Sequence, residues 1–164
     1  MTDLFGGLLD DGRLERAETT AVHLPEAAGR CFVRGVPVPQ GSKRGFVVGG
    51  RAVVVDANSK TKPWRADIHA HVLAEVGTAV LYPEDIPVAL DLLFVMPRRA
   101  AEPKRRTSPH VRKPDVDKLA RAVLDALAGV VYARDQQVTD MRARKRTARI
   151  GEQPGLHLCW RPDR

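Results

Sequence analysis

Apolar residues are spaced in three ways along this chain, and each spacing predicts a different element. Between Asp115 and Leu127, the residues Leu119, Ala122, Val123, Ala126 and Leu127 recur at i, i+3, i+4, i+7 and i+8, the stripe that a helix buries against a core. Pro114 disfavours a helical conformation at Lys113, so this helix begins at or just after Asp115, and Gly129 ends it. Ile86 to Met96 is instead an apolar run with Val, Ile and Phe, the pattern of a central strand buried on both faces.

The third spacing is short apolar runs bounded by turn residues. Cys31-Phe32-Val33 reads as a strand ended by Gly35, Pro37 and Pro39. Phe46 to Val48 and Arg51 to Val55 flank Gly49-Gly50, a hairpin signal because paired glycines supply positive φ. Lys60 to Val76 reads as a helix with Ile68, Val72, Ala74 and Val76 as its apolar positions, Pro63 in an early turn and Gly77 at its end. Val138 to Ile150 and Leu156 to Trp160 read as two closing strands, with Arg142, Arg144 and Arg146 alternating along one face of the first. Together these elements predict an α/β (α+β) domain over residues 29–164, a small mixed sheet with two main helices. In residues 1 to about 28, glycines interrupt the loosely spaced Leu4, Phe5, Leu8 and Leu9, which predicts a poorly ordered tail. No internal repeat is evident.

Composition narrows the class. The chain has 164 residues, 43% hydrophobic and 29% charged, enough for one core but not comfortably for two. Aromatics are only 5%, which argues against single-strand binding by stacked bases. The formal net charge of +7 favours a polyanionic partner, with plain solvated surface charge as the alternative. Cys31 and Cys159 form neither a zinc spacing nor a disulfide framework and read as two small buried hydrophobes. No stretch approaches the roughly 20 apolar residues of a membrane span, so a soluble, cytoplasmic protein is expected.

The charge is concentrated. Arg98, Arg99, Lys104, Arg105, Arg106, Arg112 and Lys113 stand against one acid, Glu102, in a proline-bearing segment that reads as a mobile basic loop. Directly after it come Asp115 and Asp117 at the mouth of the predicted helix, and Asp135 lies in the loop beyond that helix. Two carboxylates about 4 Å apart repel by roughly 4 kcal/mol at an effective dielectric near 20. A helix N-terminus returns only about 0.3–1 kcal/mol per exposed acid. If the three acids share a pocket, a hard cation such as Mg²⁺ is needed to hold them. The alternative is helix capping, with Asp117 paired to Arg121 at i+4. Acids at a helix start between a basic loop and a basic strand have the electrostatic layout of a phosphodiesterase.

The run KPDVDKLARAVLDALAGVVYARDQQV, Lys113 to Val138, resembles the signature of the RusA family of Holliday junction resolvases: a basic residue, aspartates one residue apart, a helix with Asp-Ala-Leu, an aromatic, then an aspartate before Gln-Val. The segment GVPVPQGSKRG, Gly35 to Gly45, and the stretch around Trp64 are similar to that family's N-terminal half. The resemblance covers about residue 30 to the C-terminus and implies a homodimer cutting four-way or branched DNA with Mg²⁺, or Mn²⁺ in its place. It implies catalytic, metal-holding roles for Asp115, Asp117 and Asp135. The family's catalytic lysine falls on Arg121, its usual asparagine falls on Lys118, and Arg134 stands where many members carry a second acid. Arg121 or Lys118 would then stabilise charge on the phosphoryl oxygens. Arg121 cannot deprotonate and its fork is bulkier than an ammonium.

Other features carry ordinary readings. Asp125 is expected to pair with Arg121, and Asp140 to be a solvated acid. The five histidines are scattered, and His69 and His71 are two apart on a helix and do not meet, while His110 is placed to touch phosphate from the basic loop. Trp64, Tyr82, Tyr132 and Trp160 read as core or edge anchors. DNA contact is expected from the basic loop and from Arg142, Arg144 and Arg146. Two rivals stand beside the resolvase reading: a non-catalytic branched-DNA-binding protein with a decayed site, and a basic Mg²⁺ nuclease without branch preference.

Overall fold

In the computed structural model the long apolar run becomes a strand (Val88–Met96) buried at all nine positions. The structure describes residues 28–41, 43–56, 58–77, 80–103 and 105–163, so the expectation of a loose N-terminal tail lies almost wholly outside the described residues. In chain order the elements are β1 (Gly29–Arg34), β2 (Lys43–Val48), β3 (Arg51–Asp56), α1 (Thr61–Val76), β4 (Val88–Met96), α2 (Val116–Leu127), a 3₁₀ turn (Asp135–Gln137), β5 (Val138–Thr147) and β6 (Gly155–Pro162). The fold is the expected mixed α/β arrangement of two helices and a small mixed sheet.

The four-stranded sheet has the order β1-β6-β4-β5, and β2 with β3 forms a separate two-stranded sheet. That hairpin turns through Gly49 (φ 56°) and Gly50 (φ 77°), with Val48 opposite Arg51. A two-residue turn needs positive φ at both centres, which glycine adopts without strain. β4 is antiparallel to β6 and parallel to β5. A parallel neighbour cannot be reached by a hairpin, so the chain crosses over through the basic segment, α2 and the 3₁₀ turn before β5. Every candidate acid lies on that crossover.

Alternation along β4 divides the interior in two. Val88, Leu90, Leu92, Phe94 and Met96 join the main core with Trp64, Ile68 and Val72 of α1 and Leu119, Ala122, Val123, Ala126 and Leu127 of α2. Trp64, Tyr82, Tyr132 and Trp160 are all buried there, as their apolar surroundings in the sequence predict. On α1 the buried face is Thr61, Trp64, Ile68 and Val72, and Ala74 points outward. The correction follows from helical period: Ala74 is two residues past Val72, near the opposite side of the turn.

Leu93 and Val95 point to the other face, where they pack with Cys159 and Ala148. Both cysteines are free thiols, and burial raises each to about 12, so they behave as the small hydrophobes expected. This second face also carries Arg142, Arg144 and Arg146, in register with Asp91, Leu93 and Val95. They do share one face, yet Arg144 and Arg146 are each committed to an acid. Arg144 donates to Asp91 at 2.5 Å, and Arg146 grips Glu152 with two bonds of 2.6 and 2.5 Å. Those bonds from Arg146, with a further one from the Arg149 amide, hold the Glu152 carboxyl below its ordinary range. Arginines that read as a DNA-facing row are thus largely committed to acids that approach from elsewhere in the chain.

Candidate active site

The basic segment after β4 has no regular structure, but it is organised from within. The Arg98 guanidinium donates to the carbonyls of Pro103 (2.8 Å), Arg106 (3.1 Å) and Ala148 (3.1 Å) and to the Thr107 hydroxyl (3.1 Å). Arg98 therefore shapes the loop, whereas the sequence reading gave it to DNA. Glu102, its side chain 5% exposed, lies 3.6 Å from Arg112. Burial, reinforced by Lys145 and Arg112, pushes the His110 imidazole below its ordinary value, which disfavours the cationic form that would suit a phosphate. Arg99, Arg105, Arg106 and Lys113 are exposed and make no ion pair among the described residues. Lys104 lies outside them.

A residue absent from the sequence reading joins this loop to the helix mouth. Lys145 sits on β5 opposite Phe94, on the face toward the helices, and its Nζ donates to the carbonyls of Arg112 (2.6 Å) and Pro114 (2.7 Å). The ammonium thus clamps the backbone on both sides of Lys113, one residue before Asp115. Its alternation out of step with Arg144 and Arg146 was the available signal.

Asp115 is the N-cap of α2 in backbone conformation (φ −71°, ψ 145°), but its side chain makes no capping hydrogen bond. Its carboxylate faces Lys118 at 3.3 Å, and both side chains are more than half exposed. Such a pair is screened by water and weak. Asp117, in the first turn, is exposed, and so is Arg121; no ion pair joins them. Asp125 pairs with Arg65 of α1 at 2.8 Å, a correction to the expected partner Arg121. α1 packs against α2 and brings a cation from 60 residues away closer than the neighbour one turn back.

Asp135 opens the 3₁₀ turn and is exposed. The turn is held by Gln137, which is buried. Its Oε1 accepts from the amides of Ala133 (2.9 Å) and Arg134 (3.1 Å), and its Nε2 donates to the carbonyls of Pro83 (2.7 Å) and Ile86 (3.2 Å). One amide side chain therefore satisfies two loops and fixes where Asp135 stands. An orphaned buried polar group costs about 1–3 kcal/mol, which explains why glutamine is needed there.

The three acids do not gather within one chain. Asp135 lines a groove with Asp125, Ala126 and Ala128, at the C-terminal end of α2, whereas Asp115 and Asp117 are at its N-terminal end. Along the helix, Asp117 to Asp125 is about 12 Å. Among the described residues no cluster of three or more His, Cys, Asp or Glu side chains is placed to hold a metal. The expectation of a single three-acid pocket in the isolated chain is corrected accordingly. The reason is geometric: α2 runs back along the sheet between the two sites. The donor chemistry at its mouth still suits a hard cation. Asp115 and Asp117 offer exposed carboxylate oxygens, and Mg²⁺ is usually held by one or two carboxylates while keeping several waters.

Exposed carboxylates, and cations that make no ion pair among the described residues, lie on one crossover. A family model described as endodeoxyribonuclease RusA matches residues 34–158. The chain belongs to the RusA family, a family of nucleases. No curated protein matches it. Among the described residues no helix is long and apolar enough to cross a membrane.

Proposed function

We propose that this chain is a Mg²⁺-dependent, structure-selective endodeoxyribonuclease that resolves four-way DNA junctions as a homodimer, by paired phosphodiester hydrolysis in recombination and repair. The observation that carries the reading is the pair Asp115 and Asp117, exposed at the α2 mouth and following in the chain Arg99, Arg105, Arg106 and Lys113, which are exposed and make no ion pair among the described residues, in a RusA-family chain. Bound Mg²⁺ would supply charge neutralisation and a more acidic water. The protein's part is to seat the backbone on the loop cations, present carboxylate oxygens and direct fixed positive charge from Arg121 toward the scissile phosphate. Lys118, whose exposed contact with Asp115 is weak, is the alternative source of that charge.

A two-fold dimer fits both the substrate and the spacing of the acids. Symmetry presents two equivalent sites to a two-fold branch. It also allows the Asp135 end of one protomer to complete the oxygen set at the Asp115–Asp117 end of its partner, which a single chain keeps apart. Asp117→Asn and Asp135→Asn are each expected to be inactive alone, whereas dimers formed by mixing them regain one intact site and nick a single strand of the junction. Loss of activity that persists in the mixed dimers would place each site within one chain.

The second reading, a branched-DNA-binding protein with a decayed site, is kept open by Arg121 in place of lysine. Junction cleavage in Mg²⁺ is to be compared for the parent chain and Arg121→Lys. The nuclease reading expects cutting by both, with Arg121→Lys within about tenfold of the parent, since a positive charge is retained. Cutting by Arg121→Lys alone would assign the parent chain to the decayed class.

A further inference from the structure

Outside the basic loop, a groove lies between α1 and the 3₁₀ turn. It has a volume of about 770 Å³ and is bordered by Lys62 and Arg65 of α1 on one side and by Arg134 and Asp135 on the other. A single water occupies about 30 Å³ of liquid, so this space is far larger than one ion requires.

Its walls are fixed by contacts between the helices. Arg65 meets Asp125 at 2.8 Å, and His69 Nδ1 donates to the Ala126 carbonyl at 3.2 Å. A carbonyl only accepts, so the hydrogen is on Nδ1. Three fixed cations, Lys62, Arg65 and Arg134, face two acids, and one of those acids is already neutralised by Arg65. Lys62 is exposed and makes no ion pair among the described residues. Arg134 approaches Glu84 only at 3.7 Å, with both side chains more than 60% exposed, so that contact holds little of its charge. No Phe, Tyr or Trp lines the groove, and its one imidazole, His69, is tied to the Ala126 carbonyl, so fixed charge outweighs stacking surface there. The chemistry selects the sugar-phosphate backbone.

We infer that this groove seats the phosphodiester backbone of a DNA arm, with Lys62 and Arg134 as its principal phosphate contacts and Arg65, held by Asp125, as a supporting charge. The inference rests on the proposed nuclease reading and extends it: the arm would run past Asp135, at the opposite end of α2 from the same chain's basic loop.

The test is the salt dependence of binding to a synthetic four-way junction, without divalent metal, by the parent chain and by Lys62→Ala/Arg134→Ala. Both side chains are exposed, so the double variant is expected to fold, and circular dichroism checks that it does. Each phosphate contact contributes a slope of about −0.9 in log K against log salt, so the double variant should be shallower by about 1.8, and weaker at 0.1 M salt by roughly 60-fold. An unchanged slope and affinity would overturn the groove assignment, and junction cleavage by the parent in Mg²⁺ would then leave the nuclease reading standing. A shallower slope in the double variant, with a parent that binds but never cuts, upholds the groove and removes the nuclease. A parent that neither binds nor cuts overturns both.

Discussion

Asp117→Asn is expected to lower the Mg²⁺-dependent rate of junction cleavage by about 10²–10³-fold or more while leaving junction affinity within about threefold. The rate loss follows the scale seen when one preorganised group is removed from a charge-stabilising site. The selectivity follows from where the residue lies. Asp117 is exposed in the first turn of α2 and holds no partner among the described residues, so the isosteric amide leaves fold and loop cations intact. Removing a negative charge from a DNA-facing surface weakens no phosphate contact, and affinity in the absence of metal should hold or rise slightly. Cleavage kinetics and binding curves, measured on the same junction, separate the two effects. Equal loss of affinity and rate would assign Asp117 to structure.

The second large effect is on stability. Asp91→Ala is expected to destabilise the fold by about 3–5 kcal/mol, because removing one member of a buried pair leaves the other charge uncompensated. Asp91 is 4% exposed at the centre of β4, and the Arg144 side chain, which donates to it, is 18% exposed. For a chain of this size that corresponds to a fall in Tm on the order of 10 °C. The double variant Asp91→Leu/Arg144→Met removes both charges and should recover most of the loss, since well-packed apolar replacements of a buried pair are often neutral. A thermal melt of the parent, both single variants and the double variant gives the coupling directly. A Tm for Asp91→Ala within a degree of the parent would show that the pair on this face carries no such weight.

That pair also marks where sequence reading stops. β4 and α2 were legible because a two-sided strand and an amphipathic helix write their burial into the local pattern: Val88 to Met96 apolar at every position but Asp91, Leu119 to Leu127 at helical spacing. The Gly49-Gly50 turn was legible for an equally local reason. Partners brought by topology were not. Arg144 and Arg146 alternate as a DNA-facing row would, but the acids that take them, Asp91 and Glu152, are identified only once β4 lies beside β5 and the chain turns into β6. Arg98 reads in sequence as one more loop cation, but its donors bind the loop's Pro103 and Arg106 carbonyls and the Ala148 carbonyl beyond β5.

The candidate site divides in the same way. The positions of Asp115 and Asp117 at a helix mouth followed from Pro114 and the apolar stripe. Their separation from Asp135 did not, because motif spacing hides the direction in which α2 runs. Gln137 stood in the quoted motif, immediately before Val138, without a role until its amide was seen to join the Pro83–Ile86 segment to the 3₁₀ turn. Lys145 was passed over because the basic residues of its strand were read as one face.

The most direct measurement compares the initial rates at which the pure parent protein cuts an immobile four-way junction and a linear duplex of the same sequence, each with Mg²⁺ and with chelator. A metal-bearing resolvase built on these acids should introduce paired, symmetric nicks in the junction, leave the linear duplex nearly untouched, and fall silent in chelator. Equal cutting of both substrates would remove the preference for branches, and an intact junction after prolonged incubation with Mg²⁺ or Mn²⁺ would contradict the nuclease assignment itself.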